Sequence, residues 1–91
     1  MQPTIGRIVH YTLNAGDVAL IDRMYPHSAQ GAPPRNPVSV GDTYPAVVVR
    51  VFDPSTSTAN LQVLLDGAAP YWATSRTEGE GGGHWAWPPR A

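Results

Sequence analysis

Ninety-one residues and 9.8 kDa make one domain, spanning residues 1–91, because chains divide into separate cores only at about 250 residues. Six Arg and no Lys against five Asp and two Glu leave a net charge of −1, which excludes a chain built to ride on nucleic-acid backbone. Nine Gly and ten Pro with only 14% charged residues exclude long helices, and 42% hydrophobic residues exclude disorder.

From Thr4 to Leu13 the residues alternate. Ile5, Val9, Tyr11 and Leu13 share one face with Arg7, while Gly6, Ile8, His10 and Thr12 share the other. That period predicts a strand. Asn14 follows as a helix cap, with Asp17 at the capping-box position three residues on. Val18, Ile21 and Tyr25 recur at helical spacing, and Pro26 ends the helix at Tyr25. The segment 26–42 begins with four prolines by Pro37 and predicts an irregular surface loop.

Thr43 to Phe52 predicts a central strand, with Val47, Val49 and Val51 on one face. Ala46, Val48, Arg50 and Phe52 take the other, and Pro45 belongs at its start or beside a bulge. Asn60 to Leu65 predicts the next strand, stopped by Asp66-Gly67, a dipeptide suited to a positive-φ turn. Tyr71 to Ser75 predicts a fourth strand with Trp72 and Thr74 opposed to Tyr71, Ala73 and Ser75. A glycine-rich loop from Glu78 to Gly83 leads to a short fifth strand, His84 to Trp87. The fold class is therefore mainly β with one short helix after the first strand. An SH3-like or similar five-stranded barrel is the economical architecture, and an open sheet with the helix on one face is its alternative.

The chain has no Cys, so disulfides and thiolate chemistry are excluded. No apolar run approaches the roughly 20 residues that cross a bilayer, and no apolar stretch follows Arg7 as in a secretory signal. A cytosolic protein is expected.

Read in order, the strings PTIGRIVHYTL, YPAVVVRVF, NLQVLLDG, YWATS and HWAWP resemble a family of small uncharacterised proteins encoded by actinobacterial phages and prophages. The resemblance covers both ends and the middle strands and leaves out the Pro-rich loop. It implies a phage-encoded protein of the host cytoplasm, and it implies no activity.

No nucleophile elbow, zinc-protease helix or cysteine nucleophile is present. His10, His27 and His84 are scattered without a carboxylate pattern, so no metal and no cofactor is expected. The Gly79–Gly83 run ends in strand-like residues and carries an acid, which argues for a hairpin loop over a phosphate cradle. The strongest chemical signal is aromatic. Trp85 and Trp87 share one strand face, and Trp72 lies near Thr74, Ser75 and Arg76. Arg7 and Arg50 are cations within otherwise apolar strands, able to grip an anion or simply to hold their heads in water. The candidate ligand-binding set is Arg7, His10, Tyr11, Arg50, Trp72, Thr74, Arg76, His84, Trp85 and Trp87, with no catalytic residue. The same tryptophans have a plainer role as core filler.

Aromatic faces beside cations without a catalytic set suit a non-enzymatic binder. Its ligand would be a small anionic, nucleotide-like molecule, such as a signal of a host antiphage system that the protein sequesters. The alternative is a protein–protein interaction module, as a virion accessory protein or an inhibitor of a host protein. A homo-oligomer is expected from the thin core and exposed strand edges. Membrane and nucleic-acid partners are not.

Overall fold

The computed structural model describes residues 2–26 and 31–89, so His27 lies outside the described residues. Its elements are β1 (Ile8–Thr12), α1 (Ala15–Met24), β2 (Thr43–Val51), β3 (Ala59–Val63), β4 (Tyr71–Arg76) and β5 (Trp85–Ala86). The alternation of β1 starts at Ile8 and not at Thr4. Gly6 takes a φ of 92°, a left-handed conformation that turns the chain and leaves Ile5 and Arg7 exposed.

The helix starts as its cap requires. Asn14 Oδ1 accepts from the Asp17 amide at 2.8 Å, and the Asp17 carboxylate accepts from the Asn14 amide at 2.9 Å, closing a reciprocal capping box. Tyr25 is the C-cap, immediately before Pro26.

The strands form one sheet in the order β4-β3-β2-β1-β5 with every pair antiparallel. The sheet curls into a half-barrel, as the strand count and the single helix lead one to expect. Its concave side carries Val9, Tyr11, Ala46, Val48, Ala59, Leu61, Val63, Tyr71, Ala73 and Trp85, and Ile21 of α1 completes the core. Beyond β4 the chain lies along the far side of β5. Glu78 makes a parallel bridge to Trp85, and the Gly79 amide donates to the Trp85 carbonyl at 3.0 Å.

Two bulges change which side chains face inward. In β2, Val48 opposes Leu61 while Arg50 opposes Asn60, so Val49 is an extra residue. Arg50 consequently does not follow Ala46 and Val48 inward. It is exposed, with its guanidinium carbon 5.1 Å from the Phe52 ring centroid. In β4, Ala73 opposes Leu61 and Arg76 opposes Ala59, leaving Thr74 and Ser75 together opposite Asn60. Asn60 Oδ1 accepts from both, from the Ser75 amide at 2.7 Å and the Thr74 hydroxyl at 2.9 Å. Ser75 alone among the described non-glycine residues has a positive φ, 58°. The extra residue shifts the alternation by one and brings Arg76 to the concave side.

In the long connection before β2, Arg35 forms an isolated bridge to Gly67. Arg35 also donates to Asp22 at 2.6 Å and to the Tyr25 carbonyl at 2.9 Å. A Cβ on Gly67 would stand 2.5 Å from the Arg35 Cβ. Close approach of two chain segments therefore requires this glycine, and not the positive φ expected of an Asp-Gly turn.

The left-handed conformation costs a non-glycine residue about 1–2 kcal/mol, partly offset by the greater unfolded freedom of glycine, about 0.5–1 kcal/mol. Ser75→Gly keeps the backbone bond to Asn60 and should raise the melting temperature by a few degrees. A calorimetric scan in which the variant melts below the parent would show that Ser75 is unstrained.

Candidate functional site

The ten candidate residues do not share one surrounding. Tyr11, Trp85 and Arg76 belong to the concave side. Tyr11 and Trp85 are fully buried cross-strand partners, and the Arg76 guanidinium carbon lies 5.6 Å from the Tyr11 ring centroid. Trp85 is core, and its indole N–H donates to the Ser57 carbonyl at 3.0 Å.

At the rim of the half-barrel, Trp87 meets Trp85 edge-on, with ring centroids 5.5 Å apart and planes at 89°. The Arg7 guanidinium lies over Trp87, 5.4 Å from its centroid. Arg7, Trp87, Trp85, Tyr11 and Arg76 are thus one continuous series of contacts, as a convergence of the first strand with the last requires. His10, Trp72 and Thr74 are on the convex side and take no part in it. His84 is half-buried, with Nδ1 3.2 Å from the Thr77 carbonyl. Arg50 stays apart beside Phe52.

The inner end of the series is a buried carboxylate that capping logic alone does not reveal as a hub. Asp17 is 1% exposed and accepts from the Tyr11 hydroxyl at 2.6 Å and the Tyr71 hydroxyl at 2.6 Å. It accepts further from Arg76 Nη2 at 2.8 Å, besides the Asn14 amide. Four donors on two oxygens meet the requirement of a buried charge. Arg76, with a quarter of its side chain exposed, is committed to Asp17 and is not an unpaired cation awaiting an anion. Its Nε is the one buried side-chain polar atom without a hydrogen-bond partner among the described residues. Two inward-facing phenols, Tyr11 and Tyr71, were the signal in the chain for this acceptor, since buried hydroxyls need partners.

The glycine run is pinned rather than a free rim. The Gly83 amide donates to the Thr12 carbonyl at 2.8 Å. A Cβ on Gly82 would stand 3.1 Å from the Leu13 carbonyl oxygen, and one on Gly83 would stand 2.7 Å from Asn14 Nδ2. Among the described residues no group of three or more His, Asp or Glu is placed to hold a metal ion. A shallow, open depression lies between Pro34–Asn36 and Asp66–Ala68, and it is lined by none of the ten candidates.

The convex side is where composition and position disagree most. Ile8, Val47, Gln62 and Trp72 stand in register across four strands. Alongside them runs a second row. Ala86, His10 and Pro45 are register partners, and the Leu64 amide donates to the Pro45 carbonyl at 2.8 Å. Eight residues on a solvent-facing sheet surface include no Asp, Glu, Lys or Arg. Trp72 is 53% exposed, Ile8 47% and Leu64 45%. The alternation of Val47, Val49 and Val51 is consistent with this surface, yet it reads in sequence as the second face of a buried central strand.

Burial, then the hydrogen bond to Asp17 and the Asp17 charge, raise both phenols above their ordinary pKa of 10.0. Tyr71 is pushed up to about 12 and Tyr11 higher still. Unfolded tyrosines ionise near pH 10, so this contribution to stability is intact below pH 10. It is lost as pH rises from 10 through 12, at about 1.4 kcal/mol per pH unit for each phenol. Melting temperatures should be level up to about pH 10 and then fall steeply, and Tyr71→Phe should make the fall shallower. Equal slopes for parent and variant between pH 10 and 12 would refute a linked Tyr71.

No protein-family model, curated protein or solved structure matches the chain.

Proposed function

We propose that the protein is a protein–protein interaction module whose contact surface is the pair of uncharged rows on the convex face, centred on Val47, Gln62 and Trp72. The observation that carries this reading is the pair of rows that cross the sheet without a charged side chain. The water-facing side of an antiparallel sheet is ordinarily polar, and a contiguous exposed apolar surface marks a contact site. A half-exposed tryptophan supplies the kind of anchor that dominates interface energies. The hub at Asp17 holds the opposite side rigid, so a partner meets a formed surface at little ordering cost. The resemblance to phage proteins makes a virion component or a host protein the partner class, in the host cytoplasm. No helix among the described residues is long and apolar enough to cross a membrane.

Sequestration of a small anionic, nucleotide-like ligand is the second reading. It is favoured by one contact, the exposed Arg7 guanidinium over Trp87, which offers a cation and an aromatic plane together. The commitment of Arg76 to Asp17 and the burial of Trp85 leave this site one cation and one partly exposed ring.

Val47→Lys places a charge in the middle of the convex face and leaves inward packing untouched. The variant should fold with a loss within about 1 kcal/mol and should lose the proteins that the parent captures from a host lysate. Capture of the same proteins by parent and variant would move the contact surface elsewhere. A ligand at 100 times its Kd should stabilise the fold by about 2.7 kcal/mol. Thermal scans against nucleotides and cyclic dinucleotides, repeated with Arg7→Ala, therefore test the second reading. A shift that survives Arg7→Ala unchanged would place the ligand away from Trp87.

A further inference from the structure

The two ends of the sheet differ. At β5, Trp85 stands in register with Tyr11 of β1, and on its other side its amide donates to the Thr77 carbonyl at 3.3 Å and its carbonyl accepts from the Gly79 amide at 3.0 Å, so that edge is covered. At β4 the pairing stops, with β3 on one side and no strand on the other among the described residues.

The ladder determines which β4 groups point outward. The Leu64 amide bonds to the Pro45 carbonyl, and Val48 bonds toward the β1 side through Arg7 and Gly6. Val47 and Gln62 are consequently the hydrogen-bonded pair between β2 and β3, and alternation makes Leu61–Ala73 and Val63–Tyr71 the hydrogen-bonded pairs between β3 and β4. In a trans peptide the N–H opposes the preceding C=O. The Trp72 and Thr74 amides therefore point away from the sheet, and so does the Trp72 carbonyl. The Thr74 carbonyl does likewise, because the Ser75 amide turns in to Asn60. The next outward acceptor, the Pro70 carbonyl, is already taken by the Tyr25 hydroxyl at 2.7 Å.

We infer that a second copy of this chain pairs along β4, antiparallel about Ala73, with Trp72 opposite Thr74 of the other copy. In that register the two outward donors and two outward acceptors of one edge meet the complementary four of its copy, giving four hydrogen bonds and leaving none of these groups unmatched. The limits of the contact are built in. Pro70 has no N–H and its carbonyl is occupied, while the positive φ of Ser75 ends the extended run. Ala73 at the two-fold axis is too small to obstruct approach. On the convex side each Trp72 indole lies across from a Thr74 of the other copy. A chain of net charge −1 adds little repulsion to such a pairing. The inference extends the reading of the convex face, because pairing at β4 sets the uncharged rows of two copies side by side in one wider surface.

Light scattering on the whole chain at about 1 mM should give twice the 9.8 kDa mass. Amide exchange of the native protein, which needs no variant, should slow by about tenfold or more at Trp72 and Thr74 between dilute and concentrated samples. Among the described residues the monomer gives these two amides no acceptor. Thr74→Pro removes an outward N–H at an edge position that admits proline, and it should give a mass of one chain. A mass of one chain for the parent at about 1 mM, or a dimer in which these two amides exchange as fast as in dilute solution, would overturn the inference. Val47→Lys separates the two proposals. A dimer that persists in this variant, with its protein partner lost, upholds both, whereas a monomeric parent that still captures its partner ends only this one.

Discussion

The geometry of the molecule depends on one buried carboxylate. Asp17 stands in the first turn of α1 and accepts from a phenol on β1, from a phenol and a guanidinium on β4, and from the amide of its own cap residue. Those contacts tie β1 to β4 through the helix, although two strands separate β1 from β4 in the sheet. Hydrogen bonds to a charged group contribute about 1.5–3 kcal/mol each, set against the desolvation of the carboxylate. The net stabilisation is smaller than the number of bonds suggests. The consequence for geometry is larger, because only one curl of the sheet brings three side chains from both strands to two oxygens.

The bulge in β4 serves this same point. A regular strand would place Ser75 on the concave side and send Arg76 to solvent. Doubling Thr74 and Ser75 against Asn60 reverses that assignment, and Asn60 satisfies the displaced amide and hydroxyl. The strain of a serine at positive φ is thus spent on delivering a cation to Asp17. The Val49 bulge has the opposite result, since it releases Arg50 from the inward face that simple alternation assigns to it.

Local patterns in this chain were legible where a few neighbouring residues decide the outcome. The Asn14–Asp17 capping box, the helix end before Pro26 and the inward face Val9–Tyr11 all follow from spacing alone. Register-dependent features were not. Whether Arg50 or Arg76 faces inward depends on one extra residue, and no period in the sequence announces it. Gly67 looks like a turn former beside Asp66, yet its reason lies with Arg35, distant in the chain. Of the candidate set, the series from Arg7 to Arg76 was foreseeable because the first and last strands carry its aromatics. Its termination at Asp17 was not, because a capping residue already has a sufficient local explanation.

The polarity of the fold is partly reversed, and the two halves of that reversal require each other. A sheet holds its register when one face is apolar and the other polar, because a slip by one residue exposes the core. Here both faces are apolar over much of their area, with Ile8, Val47, Leu64 and Trp72 outside and Val9, Val48, Leu61 and Val63 inside. Hydrophobic patterning alone would leave register weakly specified between β3 and β4. The buried polar contacts supply what patterning lacks. A one-residue slip of β4 would strand Asp17 without Tyr71 and Arg76, and Asn60 without the Ser75 amide, each an uncompensated buried polar group costing about 1–3 kcal/mol or more. Because specificity is carried by charge and hydrogen bonds on the inside, the outside is released from that duty. Two uncharged rows on the convex face are then compatible with a unique fold.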